Sequence, residues 1–216
     1  MKKPLHTKRQ ILAALACLLA AAFLWNMQVR KEQQELAARI SPSILRFHVI
    51  ANSNGKEDQE LKLKVKSFLL KEIYRQISQE SGNQELGKKQ LCTWLSLRKE
   101  QLAQETENFL HEFGKEMKVS AELKTVEFPE KFYGSLRLPA GSYDAFQVTL
   151  GQGRGRNWWC VLYPKLCLTK DAVQETPESS LETLKVLLSP EDYQAVTRPR
   201  PNLHIRFAFL KAFHPN

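Results

Sequence analysis

The stretch LGQGRGRNWWCVLYPKLCL, Leu150 to Leu168, holds three glycines, two tryptophans and two cysteines. Residues of these types could cradle a phosphate, supply a nucleophile or redox pair, or present a contact surface. A dinucleotide fingerprint needs G-x-G-x-x-G opening a helix, but Arg156 occupies the last glycine position and a strand-like run follows. The glycines therefore read as a hairpin connection rather than a nucleotide site. A second near-match, Gly82 to Lys89 (GNQELGKK), ends on lysine where a P-loop needs a hydroxyl to hold magnesium, and a helix precedes it.

Metal chemistry finds no support in the spacing. His111-Glu112 begins like H-E-x-x-H, yet Lys115 stands at the second ligand position, and no C-x-x-C occurs. A lone His48 within an apolar strand reads as a satisfied structural residue. No metal and no cofactor is expected. A catalytic Cys160 would need a base, and His48, His111 and His204 are candidates only by residue type. Its apolar neighbours suit packing better. With Cys167 seven positions on and Pro164 favouring a turn between them, a Cys160–Cys167 disulfide across a hairpin is the preferred reading. Two buried free thiols come next, and a nucleophile last. Adjacent residues on a strand point to opposite faces, so one of Trp158 and Trp159 can anchor the core while the other lies outside. Exposed tryptophan beside Arg154, Arg156 and Asn157 has the composition of an interaction hot spot. The competing reading has both rings covered.

The elements that would position this stretch follow from periodicity. Ile44 to Ala51 reads as a strand, Asn52-Ser53-Asn54-Gly55 as a turn, and Lys56 to about Gln79 as an amphipathic helix. A second helical pattern spans about Gln84 to Met117, with an interruption expected near Trp94. Strands are predicted over Val119–Phe128, Lys131–Leu138, Tyr143–Leu150 and from Trp158 to Pro164. A polar stretch from Thr169 to Ser180 leads to a short helix around Leu181–Leu188. Ser189-Pro190 marks another helix start, and Leu203–Leu210 a closing strand. The order predicts an α+β domain, a mixed or antiparallel sheet with helices packed on one face.

The N-terminus adds a different signal. Lys2, Lys3, Lys8 and Arg9 precede a run of 15 apolar residues, Ile11 to Trp25, and the first acid is Glu32. A basic flank feeding a short apolar run is the pattern of an export signal, and Ala20-Ala21-Ala22 offers a cleavage site. A membrane span wants about 20 residues, and Met27 and Val29 extend the run toward a marginal anchor, so secretion and N-terminal anchoring both stay open. The expected organisation is residues 1–29 as signal peptide or anchor, 30–43 as a polar helical linker, and 44–216 as one extracytoplasmic domain. Those four basic residues carry four of the nine net positive charges, leaving +5 on the rest. That excess suits a solvated surface, and export argues further against nucleic acid as a partner.

Three stretches together resemble the stage II sporulation protein R family of endospore-forming Firmicutes. They are LRFHVIANSNGKEDQELKLKVKSFLL (Leu45–Leu70), EFPEKFYGSLRLPAGSYDAFQVTLGQGRGRNWWCVLYPKLCL (Glu127–Leu168) and, more weakly, SPEDYQAVTRPRPNLHIRFAFL (Ser189–Leu210). Many relatives carry an acidic residue or a second proline near Gly153-Arg154 and Pro164-Lys165, where this chain has Arg154, Arg156 and Lys165. The resemblance implies an exported signalling protein, made in the forespore and delivered to the space facing the mother cell. There it would trigger a membrane-embedded aspartic protease of the mother cell that processes a sigma-factor precursor. The chain would then be a ligand rather than an enzyme, with no catalytic residue to carry over. The alternative is an exported cell-envelope hydrolase or transferase using Cys160.

Overall fold

The computed structural model of the chain describes residues 4–82, 84–166 and 178–197. The element order is α1 (Pro4–Ile40), a 3-10 turn (Ser41–Ser43), β1 (Leu45–Ile50), α2 (Lys56–Ser81), α3 (Lys88–His111), β2 (Val119–Phe128), β3 (Lys131–Tyr133), β4 (Leu136–Leu138), β5 (Gly141–Leu150), β6 (Asn157–Tyr163), α4 (Glu178–Leu187) and α5 (Pro190–Thr197). Four strands form a mixed sheet in the order β2-β5-β1-β6. β1 runs parallel to β5 and antiparallel to β6, so Phe47 lies between Phe146 and Cys160. A parallel pair needs a long crossover, and α2, α3 and β2 supply it.

One face of the sheet is apolar throughout. Leu45, Phe47, Val49, Phe146, Val148, Leu150, Cys160 and Leu162 meet Leu61, Val65, Leu69 and Ile73 of α2 and Leu91, Leu95, Leu102 and Leu110 of α3. The four-residue spacing along α2 keeps its apolar side chains on one stripe. Each fully buried aliphatic side chain there contributes about 1.5–3 kcal/mol.

α3 runs unbroken through Trp94, contrary to the interruption expected there, and is shorter at both ends than the predicted span. The Gln90 side chain accepts from the Gly87 N–H and closes its first turn. Trp94 is buried, and its Nε1 donates to Glu80 Oε2 at 2.9 Å, tying α3 to the end of α2. An aromatic at a core position strengthens a helix contact, and nothing near Trp94 breaks the backbone pattern.

A further layer covers the second face. Ala37 and Ile40 at the end of α1 join Phe128, Tyr133, Leu136, Leu138, Tyr143, Ala145, Val161, Leu184, Leu188 and Val196. The predicted strand over 131–138 is in fact two short strands folded into a β3–β4 hairpin around Gly134-Ser135. This hairpin lies under α5 and beside α1, where Gln33 donates to Glu130 and Arg39 pairs with Asp192 at 2.9 Å. The Ser189 hydroxyl caps α5 by accepting from the Asp192 N–H, as its sequence indicated. The predicted strand 203–210 lies outside the described residues.

α1 is 37 residues long, about 55 Å at helical rise. Its apolar side chains from Ile11 to Met27 are exposed, and the helix is long and apolar enough to cross a membrane. Among the described residues, its C-terminal turns are the part that packs on the domain.

Candidate functional site

At the C-terminal ends of β1 and β5, two loops lock together into a crown. Residues 51–55 follow β1, and residues 151–156 connect β5 to β6. Arg154 N–H donates to Asn52 O at 3.0 Å, and Gly155 N–H to Ala51 O at 2.8 Å. Asn52 Oδ1 accepts from Gln152 N–H, 100 residues away, and Asn54 Oδ1 from Arg156 N–H, each at 2.9 Å. The close approach leaves no room for side chains: a Cβ on Gly155 would sit 2.2 Å from Ser53 O. At Gly151, with φ +55°, a Cβ would meet Asn52 Oδ1 at 2.4 Å.

The first turns of α2 brace the crown from beneath. Asn52 Nδ2 donates to Asp58 Oδ2 at 2.8 Å and Gln59 Nε2 to Ser53 O at 2.8 Å. Hydrogen bonding from Ser53 first, and then from Asn52, holds the Asp58 carboxyl below its ordinary range. Lys62 is buried, 6% exposed, and donates to Gln59 Oε1 at 2.7 Å and to Arg156 O at 3.1 Å. Burial, and then the nearby charge of Arg156, push its pKa down. Among the described residues no carboxylate pairs with it.

Arg154, Arg156 and Asn157 are exposed on the crown. Trp158 and Trp159 are both half-buried, on opposite faces of β6. Trp158 meets Phe47 edge-on at 5.8 Å, and Lys66 Nζ lies 5.0 Å from its ring centroid. Trp159 stacks on His48 at 3.8 Å and packs edge-on against Phe128 at 4.6 Å. Of the predicted contact residues, Arg154 and Asn157 are exposed at the crown, Trp158 lies on the Phe47 face of β6, and Asn157 shares the opposite face with Trp159, which is committed to the His48 stack.

His48 corrects an expectation. It is 3% exposed but not satisfied, since among the described residues neither ring nitrogen has a hydrogen-bond partner. Burial pushes its pKa down to about 4; nearby Asn157 and Gln147 favour the charged form but neither makes a hydrogen bond of good geometry. The imidazole is a neutral stacking plate.

Cys160 is 3% exposed and disulfide-bonded. Its register partner is Phe47, so it faces the α2–α3 core while His48 faces the other side. A bonded sulfur on the face opposite that histidine removes the nucleophile–base pair the enzyme reading required. Cys17 and Cys92 carry free thiols, and Cys167 lies outside the described residues. An open groove of about 360 Å³ between α3 and β2 includes His111 and Glu107, but Glu107 is occupied by Val119 N–H and Lys118. Among the described residues no group of three or more His, Cys, Asp or Glu could hold a metal ion.

Asn52, Asn54, Asp58, Gln59 and Lys62 were not singled out by spacing. Their only signal was the turn motif and the charged first turns of the helix behind it, because the partner loop lies about a hundred residues on.

The two loops, fixed to each other by backbone and asparagine hydrogen bonds, form one braced end of an α+β scaffold. The chain belongs to the stage II sporulation protein R family: the family model matches residues 41–173, which include both crown loops and leave α1 outside. It is 32% identical over 158 residues to "Stage II sporulation protein R" of Bacillus subtilis (strain 168), covering 68% of this chain and 67% of that protein. No solved structure matches the chain. Its role is in sporulation, and its apolar N-terminal helix is compatible with a secreted or membrane-anchored protein.

Proposed function

We propose that this chain is an exported sporulation signal, passing from the forespore into the intermembrane space, that triggers a membrane-embedded aspartic protease of the mother cell to process a sigma-factor precursor. It acts as a ligand and performs no catalysis of its own. The family resemblance supplies the pathway, and the observation that supports a ligand's role is the crown. The two stretches that carry the resemblance meet there, and their backbone donors and acceptors are spent on fixing the loops rather than on a cleft. Preorganised loops lose little entropy on association, which favours tight recognition. Arg154 and Trp158 are the proposed contact residues, with Asn157 at the crown on the opposite face of β6 and Trp159 holding the strand behind it. Cys167, the proposed partner of the bonded Cys160, lies outside the described residues.

Co-producing the full chain with its cognate protease and sigma precursor in a non-sporulating host tests this reading. Precursor cleavage that depends on export of the chain is the expected result. Intact precursor, with the chain shown to be exported and the protease present, would overturn it.

A further inference from the structure

The crown carries cations without counter-ions. Lys62, Lys66, Arg154 and Arg156 take part in no salt bridge among the described residues, whereas the acids closest to them in the α2 sequence are engaged. Glu57 pairs with Lys115, Glu60 with Lys56, and Asp58 accepts from Asn52. Burial lowers the pKa of Lys66, as it does that of Lys62. Unpaired charges so placed cost stability, and a partner of opposite sign would remove that cost.

Their spacing is that of an extended chain. Lys62 touches the carbonyl of Arg156, and Lys66 lies over the ring of Trp158. The lysines are one i,i+4 step apart on α2, about 6 Å. Arg156 and Trp158 are one i,i+2 step apart along the extended chain, about 6.8 Å. Two matched rows at this pitch line up with alternate side chains of an extended peptide, which repeat at nearly the same distance. A compact phosphate fits less well, because the loop N–H groups that would cradle it, those of Gln152, Arg154, Gly155 and Arg156, already donate within the crown.

Position argues against the lipid surface that α1 would enter. The elements α1 touches, the β3–β4 hairpin and the start of β5, lie at the opposite end of the sheet from the crown. The six residues of β1 separate the two ends, about 20 Å.

We infer that the strip of Lys66, Arg154 and Arg156 around Trp158, with Lys62 adding its charge from beneath, receives an acidic extended segment of the partner protein. This rests on the reading of the chain as a protease-triggering ligand and adds the chemistry of its contact.

The test uses the full chain and three probes: a labelled (Glu-Thr)5 peptide, a labelled (Lys-Thr)5 peptide, and phosphatidylglycerol vesicles. The acidic peptide should bind, more weakly as salt rises, and the R154E/R156E variant should weaken it at least tenfold with an unchanged thermal midpoint. R154Q/R156Q, which adds no repulsion, should give a smaller loss and stands in if the reversed variant misfolds. Equal or absent binding of the two peptides to the unaltered chain overturns the inference, as does vesicle binding that the substitutions abolish while peptide binding persists. In the co-production assay the reversed variant should fail to trigger cleavage. Full cleavage by that variant sinks the acidic contact and leaves the signalling function standing, whereas no cleavage by the unaltered chain sinks the function itself.

Discussion

At the base of the sheet Arg46 is wholly buried, its guanidinium 4.3 Å from the Phe128 ring centroid, 5.2 Å from that of Tyr143 and 5.6 Å from that of Tyr133. At the crown Arg154 and Arg156 stand in solvent on a loop fixed by backbone hydrogen bonds. The same side chain serves two purposes. Inside the ring cage its charge is balanced by aromatic faces and a hydrogen bond to the Tyr133 hydroxyl, with Nε and Nη1 without hydrogen-bond partners among the described residues. Burial pushes that guanidinium's pKa down, so the cage acts against the desolvation penalty. Outside, the scaffold is already complete without the arginine side chains, and their charge is free for another molecule. Arg46 is spent inside the fold, whereas the crown arginines form no salt bridge among the described residues.

Substitutions should separate the two ends, and the largest effect belongs to the base. Arg46→Ala empties the cage and should cost about 3 kcal/mol in urea unfolding, with signalling reduced only in proportion to the unfolded fraction. Arg46→Met, which keeps the volume and removes the buried charge, should lose less. A loss of triggering by well-folded Arg46→Met would erase the distinction between the ends.

Gly155→Ala comes next. Its methyl would enter the space of Ser53 O, so the loops must part, at about 2 kcal/mol. Triggering should fall further than stability does, and equal falls would show that crown shape has no special role.

A third difference is a pH response in the layer between the ends. His48 ionises at about 4 in the fold against 6.5 in an ordinary environment. Below pH 6.5 the unfolded chain takes up a proton that the folded imidazole refuses, so stability falls as pH drops from 6.5 to about 4. His48→Phe keeps the stack on Trp159 and should flatten that segment of the stability profile. Parallel profiles for the two proteins would mean that His48 is charged in the fold.

The smallest stability effect is expected at Lys66→Gln, within about 0.5 kcal/mol of the unaltered chain. A measurable drop in partner affinity should accompany it. A change in stability without a change in affinity would assign Lys66 to the scaffold.

Much of the architecture was legible in the sequence. The period of Leu61, Val65, Leu69 and Ile73 marked α2, alternation marked β1 and β2, and β-favouring runs beside turn signals marked β5 and β6, because local patterns follow from helix and strand geometry. Three features were not legible, each for a physical reason. The β3–β4 hairpin hides in a run whose β-favouring residues continue across Gly134-Ser135, so only the turn distinguishes two short strands from one. The helix runs through Trp94 without the expected interruption because Trp94 sits on the buried stripe with Leu91 and Leu95. The crown depends on a pairing between Asn52 and Asn54 and a loop about a hundred residues later, which no window of local periodicity can contain. Arg154, Asn157 and Trp158 were marked by composition as contact candidates, whereas Lys62 and Lys66 owe their places against Arg156 and Trp158 to the packing of α2. Trp159 could not be told from Trp158 until the strand register put it on the His48 face.

The central claim, that the crown rather than the base meets the partner, is tested most directly by hydrogen–deuterium exchange on the full chain with and without its cognate protease. Slower exchange at residues 59–66 and 152–158, with β3 and β4 unchanged, is the predicted result. Protection confined to β3, β4 and α5, with the crown exchanging as in the free chain, would contradict it.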